Sequence, residues 1–271
     1  MTRQARDDPA RAARVLRQHA EDIRLLSGDG GMLAGVPLHP AKPGPAATPV
    51  VASEVEAKPA KAGTASVADR TERELRMDAL RAKYEADAPH QHFLTDHTQI
   101  VWGNGDVCAR LMFVGEAPGA EEDKVGKPFV GRSGQLLDKM IGAMGLSREA
   151  VYIANVLKTR PPNNATPTIE EASVCTPYLL EQISIVSPEV IVTLGRPAAQ
   201  ALLQTTEAMG KLRGRWHGID VPTGALETRS VPVMPTYHPA YVLRNYTDDT
   251  RSKVWSDLKM AMERLGLAVG G

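Results

Sequence analysis

Residues 115–140 read Gly115-Glu-Ala-Pro-Gly-Ala-Glu-Glu-Asp-Lys-Val-Gly-Lys-Pro-Phe-Val-Gly-Arg-Ser-Gly-Gln-Leu-Leu-Asp-Lys-Met140. Directly before them the apolar run Leu111-Met-Phe-Val114 stops at glycine and proline, so it reads as a short buried strand. Residues dense in glycine, acid and base follow, and then a helix opens near Ser133. A strand feeding a long loop that feeds a helix is where α/β proteins place ligand sites, outside the carboxyl end of the strand. The loop supplies flexible backbone, the carboxylates Glu116, Glu121, Glu122 and Asp123, and one aromatic, Phe129.

The same texture continues downstream. Apolar runs at 111–114, 151–156, 190–194 and 231–235 read as strands, and helical patterns occupy 133–144, 168–183, 196–203 and 248–265. Thr168 with Glu171 three residues on forms a capping box that opens its helix. Strand–helix alternation at this spacing predicts a parallel sheet with helices on both faces. Upstream, residues 1–30 carry a helical segment with Leu16, Ile23 and Leu25 among arginines and acids, a candidate for binding a partner not yet known. Residues 31–68 are an Ala/Pro-rich stretch without apolar period, expected to be a disordered linker. The folded domain is expected to span 69–271, its first helix running over 69–86.

Hydrophobic residues make up 42% of the 271, enough for a core, while aromatics are only 4%. Lys+Arg and Asp+Glu both total 32, so any phosphate binding must come from local clusters. The two cysteines, Cys108 and Cys175, exclude a disulfide framework and fit a reducing cytosol. Neither a signal peptide nor a membrane-spanning run is apparent, so the expected location is cytoplasmic.

Four segments fall at the expected carboxyl ends of strands: the 115–132 loop, Asn155, Gly195-Arg196, and the stretch from Thr236 through His238 to Asn245. Each has an ordinary structural reading alone. An asparagine at a strand end caps turns, a loop phenylalanine packs inward, and loop acids are solvated. Together they supply an aromatic face, an amide that both donates and accepts, an imidazole and carboxylates. That set can hold a planar heterocycle.

These residues resemble the family 4 uracil-DNA glycosylases. The matching motifs are Gly-Glu-Ala-Pro-Gly-x-x-Glu-Asp at 115–123, Gly-Lys-Pro-Phe-Val-Gly-x-Ser-Gly at 126–134, Asn-Val-x-Lys-x-Arg-Pro-Pro at 155–162 and His-Pro-Ala-Tyr at 238–241. The resemblance runs from about Gln99 to Leu265 and implies a three-layer α/β/α fold with a short, mostly parallel four-stranded sheet, making 69–271 the catalytic domain. It also implies hydrolysis of the N-glycosidic bond of deoxyuridine in DNA, leaving an abasic site for downstream repair enzymes, with nucleoid association when bound to DNA. It puts Phe129 under the flipped uracil, Asn155 on its pairing edge, and Gly115 and Ala117 against the base. His238 is implied to donate to uracil O2 as charge builds on the leaving base. Ala117 stands where related families carry an acid, so the water falls to backbone 115–117 with Glu116 or Glu122. Glu122 is preferred for stabilising the sugar cation. Val242 and Leu243 are implied as the wedge that fills the duplex, Arg244 as a phosphate or opposite-base contact, and Lys158 and Arg160 as phosphate contacts. Arg213, Arg215 and Lys253 are further phosphate candidates. A monomer is expected. An alternative from another class is a non-catalytic, polymerase-associated DNA-binding relative, which would not need Phe129, Asn155 and His238 together.

The chain departs from the family in one respect. Members hold a four-iron four-sulfur cluster on four cysteines, whose positions here fall near Ala88 and Gln91, at Thr159, and at Cys175. Only Cys175 matches, and one thiolate cannot hold a cubane. The expectation is no cofactor, with residues 86–98 repacked around Phe93 and Leu94 or loosely ordered. His90, His92 and His97 offer an alternative donor set with Cys175 for another metal.

Overall fold

The computed structural model describes residues 66–223 and 227–268. The N-terminal helical segment and nearly all of the expected linker lie outside the described residues. In chain order the elements are α1 (Val67–Asp87), β1 (Asn104–Gly105), β2 (Leu111–Gly115), α2 (Ala120–Val125), α3 (Arg132–Ala143), β3 (Tyr152–Asn155) and α4 (Ile169–Val186). They continue with β4 (Val190–Leu194), α5 (Arg196–Leu203), α6 (Met209–Leu212), β5 (His217–Pro222), β6 (Thr228–Thr236), α7 (Pro239–Arg244) and α8 (Asp248–Arg264).

The sheet order is β1-β3-β2-β4-β6-β5. The inner four strands are parallel and coincide with the four apolar runs of the sequence; β1 and β5 pair antiparallel on the two edges. The sheet thus has six strands where four were expected. The reason is physical: parallel strands buried on both faces read as unbroken apolar runs, whereas edge strands do not. β1 is two residues long, and β5 buries only Ile219 and Val221 among Gly218, Asp220 and Pro222.

Period-two alternation sends successive side chains to opposite layers. Met112, Val114, Tyr152, Ala154 and Ile191 pack with Leu80 and Tyr84 of α1, Leu179 and Ile183 of α4, and Leu202 of α5. Leu111, Phe113, Ile153 and Val192 pack with Leu137 and Ile141 of α3 and Leu258 and Met262 of α8. The capping box on α4 forms as expected: Glu171 N–H donates to Thr168 Oγ1 at 3.2 Å, and Thr168 N–H donates to Glu171 Oε2 at 2.9 Å. Among the described residues no helix is long and apolar enough to cross a membrane.

The parallel register aligns the strand ends that matter. Gly115 pairs with Asn155 across β2 and β3, and Leu194 pairs with Thr236 across β4 and β6. All four functional segments therefore emerge on one side of the sheet.

Candidate active site

Gly115 ends β2 with no room for a side chain. A Cβ there would lie 2.3 Å from Asn155 Oδ1 and 2.5 Å from Phe129 Cζ. The glycine is thus the floor against which the amide and the ring meet. Asn155 is 1% exposed, and its Oδ1 is buried without a hydrogen-bond partner. A buried acceptor left unpaired costs about 1–3 kcal/mol, so its persistence points to a ligand that donates to it.

Phe129 is 5% exposed and adopts φ +52°, the left-handed region, at a cost of about 1–2 kcal/mol for a residue with a side chain. Its ring lies 5.5 Å from the His238 ring, centroid to centroid. Glu122, in α2, turns one oxygen to the same loop: Val130 and Gly131 N–H both donate to Oε1 at 2.9 Å. Glu116 follows Gly115 and is partly exposed; its carbonyl accepts from Leu157 N–H at 3.0 Å, and that of Gly115 accepts from Val156 N–H at 2.9 Å. Ala117 is partly buried and packs against the core.

His238 caps the N-terminus of α7, where Ala240 N–H donates to Nδ1 at 3.0 Å. A backbone amide can only donate, so Nδ1 accepts and the ring proton sits on Nε2. Burial, helped by the positive charge of Arg244, pulls the imidazole down to about 4. At neutral pH the side chain is a neutral donor with its donating nitrogen defined. Gly195, at φ +90°, admits it: a Cβ there would stand 2.9 Å from His238 Cβ.

Behind His238 lies a network that sequence reasoning missed. Thr236 Oγ1 donates to Asp257 Oδ2 at 2.7 Å, and Arg213 reaches the same carboxylate with Nε at 3.1 Å and Nη2 at 2.8 Å. A signal was present, because Asp257 sits on the apolar stripe of α8 with Val254, Leu258 and Ala261, where an acid needs a partner. Arg213 is thereby a structural residue, and its reading as a phosphate contact is corrected.

Two more expectations are corrected. Lys158 is fully buried; its Nζ donates to the Asn155 carbonyl at 2.7 Å and to Gln182 Oε1 at 2.5 Å, 5.4 Å from the centroid of Trp102. Burial draws its ammonium down to about 7, and it cannot meet a phosphate. Val242 is 3% exposed and belongs to the core beneath α7, so it is no wedge. Leu243 is partly exposed and Arg244 exposed on the same short helix. Arg160 is partly exposed, with Nε donating to Asn164 Oδ1 at 2.8 Å. Arg215 and Lys253 sit in ion pairs on the surface with Glu207 and Asp249.

A phenyl ring, a buried amide with an unpartnered oxygen and a neutral imidazole thus stand together at the strand ends of an α/β/α sheet, a set able to meet a planar heterocycle. Sequence comparison gives the class. The chain is 45% identical over 167 residues to the Type-4 uracil-DNA glycosylase of Thermotoga maritima, covering 61% of this chain and 83% of that protein. Identity to the Type-4 uracil-DNA glycosylase of Archaeoglobus fulgidus is 42% over 173 residues, covering 62% and 83%. The chain belongs to the uracil DNA glycosylase superfamily, whose family model matches residues 102–259, and within it to type 4.

Proposed function

We propose that this protein hydrolyses the N-glycosidic bond of deoxyuridine in DNA, releasing uracil and leaving an abasic site for downstream repair enzymes. The observation that carries the reading is the buried, unpaired Asn155 Oδ1 beside the Phe129 ring. Uracil N3–H donates to that oxygen and uracil O4 accepts from the Asn155 amide nitrogen. Cytosine presents the opposite pattern on this edge, an acceptor at N3 and a donor at its amino group. As the bond between N1 and C1′ lengthens, negative charge gathers on N1 and O2, and His238 Nε2–H meets it at O2. Backbone 115–117 and Glu116 position the water that joins C1′. Glu122, anchored by the Val130 and Gly131 amides, faces the developing sugar cation as a held negative charge. Leu243 enters the stack in place of the extruded base, with Arg244 and Arg160 on the DNA backbone. The enzyme acts as a monomer in this reading.

The assay is uracil release from oligonucleotides carrying U:G, U:A and single-stranded U. Wild type is expected to yield abasic product, and Asn155→Ala to lose at least about a hundredfold in kcat/KM, because both edge contacts vanish together. No product from any substrate would move the conclusion to a non-catalytic DNA-binding protein.

The residues do not fit the family's iron–sulfur cluster. Four thiolates are required, whereas Cys175 stands alone among the four positions and Cys108 lies at none of them. Burial pushes the Cys175 thiol up to about 11, which keeps it protonated. Around it the space is taken by Tyr84 of α1, fully buried, its ring 5.0 Å from Tyr178, 5.4 Å from Trp102 and 5.6 Å from His90, centroid to centroid. The Tyr84 hydroxyl faces Cys175 and Thr159 without a hydrogen bond of ordinary geometry to either. Phe93 and Leu94 are partly buried, and Phe93 packs against the same core cluster as Tyr84 and Cys175. Among the described residues no group of three or more His, Cys, Asp or Glu is arranged for a metal, the set His90, His92 and His97 with Cys175 included. These contacts support an enzyme whose cluster has been replaced by aromatic packing. The purified protein is expected to be colourless; a brown protein with stoichiometric iron would overturn this.

A further inference from the structure

The segment 128–131 is held by two side chains of opposite charge. Arg148 donates from Nη1 to the Phe129 carbonyl at 3.0 Å and from Nη2 to the Pro128 carbonyl. Glu122 takes the next two amides on a single oxygen, as described above. Carbonyls thus face a guanidinium and amides face a carboxylate, across the one residue whose φ is +52°. The guanidinium is itself held in place: the Arg148 side chain is 19% exposed, and Asp138 Oδ1 accepts from its Nη1 at 2.7 Å. The first turn of α3 closes the remaining side, since a Cβ at Gly134 would fall 1.9 Å from the Phe129 carbonyl oxygen.

The two clamps stand on segments attached to different strands. Glu122 follows β2, which ends at Gly115, and Arg148 lies in the short turn that leads into β3, which ends at Asn155. Each therefore ties the Phe129 backbone to an element carrying another wall of the pocket. A left-handed phenylalanine persists only where its surroundings over-determine it. Released, the residue relaxes toward ordinary φ and carries its ring away from Gly115 and His238.

We propose that Arg148, acting against Glu122, is a positioning residue for base recognition, holding Phe129 in the left-handed conformation that puts its ring beneath the base. This rests on the uracil-excision reading, and the experiment separates the two. Arg148→Met keeps the apolar stem and removes both hydrogen bonds to the Pro128 and Phe129 carbonyls, together with the one to Asp138. It is expected to lower kcat/KM on a U:G duplex by about tenfold to a hundredfold, given the strength of hydrogen bonds to charged groups. Inhibition by free uracil weakens by a similar factor, while affinity for an abasic-site duplex stays within about twofold, because Arg148 acts on the base pocket and not on the DNA surface. Arg148→Lys, with one ammonium for two carbonyls, falls between wild type and Arg148→Met.

In a double-mutant cycle with Phe129→Leu, the loss from the Arg148 variant shrinks to a few-fold once the ring is gone. Additive losses, or unchanged inhibition by uracil, overturn the proposal. If Arg148→Met does not fold, Arg148→Lys carries the same cycle. If wild type releases no uracil at all, the functional reading fails by itself and the clamp is read by hydrogen exchange. Faster exchange at the Val130 and Gly131 amides in the Arg148 variant supports the clamp, and unchanged exchange sinks it.

Discussion

His238→Ala is expected to lower kcat for uracil release by about a hundredfold to a thousandfold, the usual loss of one preorganised donor at a developing anion, with a smaller change in KM. The size follows from the enclosure of the imidazole between Phe129 and Gly195, where water is a poor substitute for the lost donor. The pH dependence is equally specific. Burial lowers the folded-state value from 6.5 to about 4, so the neutral Nε2–H donor persists well below the range in which histidines usually titrate. The acid limb of kcat due to this group is therefore expected near pH 4. Protonation there puts a second proton on Nδ1, which confronts Ala240 N–H and removes the cap of α7.

The same shift carries a stability signature. Because the folded value lies below the unfolded one, the contribution is complete above about pH 6.5. It is lost as pH falls from 6.5 toward 4, where only the unfolded chain takes up the proton. The total is on the order of 3 kcal/mol. Denaturant unfolding of wild type and His238→Gln across pH 4–7 tests it: the wild-type stability should fall more steeply over that window. Parallel curves, or an acid limb of wild-type kcat near 6.5, would contradict the enclosed neutral imidazole.

Gly115→Ala is the second large effect. The backbone at this position does not need glycine, so the cost is confined to the two groups that a methyl would strike, Asn155 Oδ1 at 2.3 Å and Phe129 Cζ at 2.5 Å. Overpacking of this kind costs about 1–3 kcal/mol, which a folded domain of this size tolerates. Activity does not tolerate it, since displacing a recognition group by about 1 Å costs on the order of a hundredfold. The expected result is a folded protein with slightly lowered Tm and kcat/KM reduced by at least about a hundredfold. Uracil release within a few-fold of wild type would show that the ring and amide do not meet at Gly115 in solution.

Much of this was legible beforehand because the parallel strands are buried on both faces. Runs such as Leu111–Val114 and Val190–Leu194 needed no partner to be recognised, and the Thr168–Glu171 box announced α4 by local chemistry alone. The edge strands were not legible, since His217–Pro222 carries a glycine, an exposed acid and a proline. Lys158 was misread for a different reason. A lysine before Arg-Pro-Pro advertises charge, but the turn after β3 sends its ammonium inward to Gln182, which lies 24 residues downstream in α4. Val242 was misread because six residues of helix present a buried face that so short a segment does not display as a period.

By itself the sequence determined the parallel core, the order in which its strands are reached, and the chemical types at their ends: a ring at Phe129, an amide at Asn155, an imidazole at His238. Those follow from local patterning, which a chain carries wherever it goes. Only the tertiary structure decided that Asn155 Oδ1 is left without a partner, that His238 is neutral with its proton on Nε2, and that Tyr84 fills the space beside Cys175. It also decided that Arg148 and Glu122 hold Phe129 against its backbone preference. Each of these depends on burial and on hydrogen-bond partners brought from other elements, and neither exists until the layers have closed.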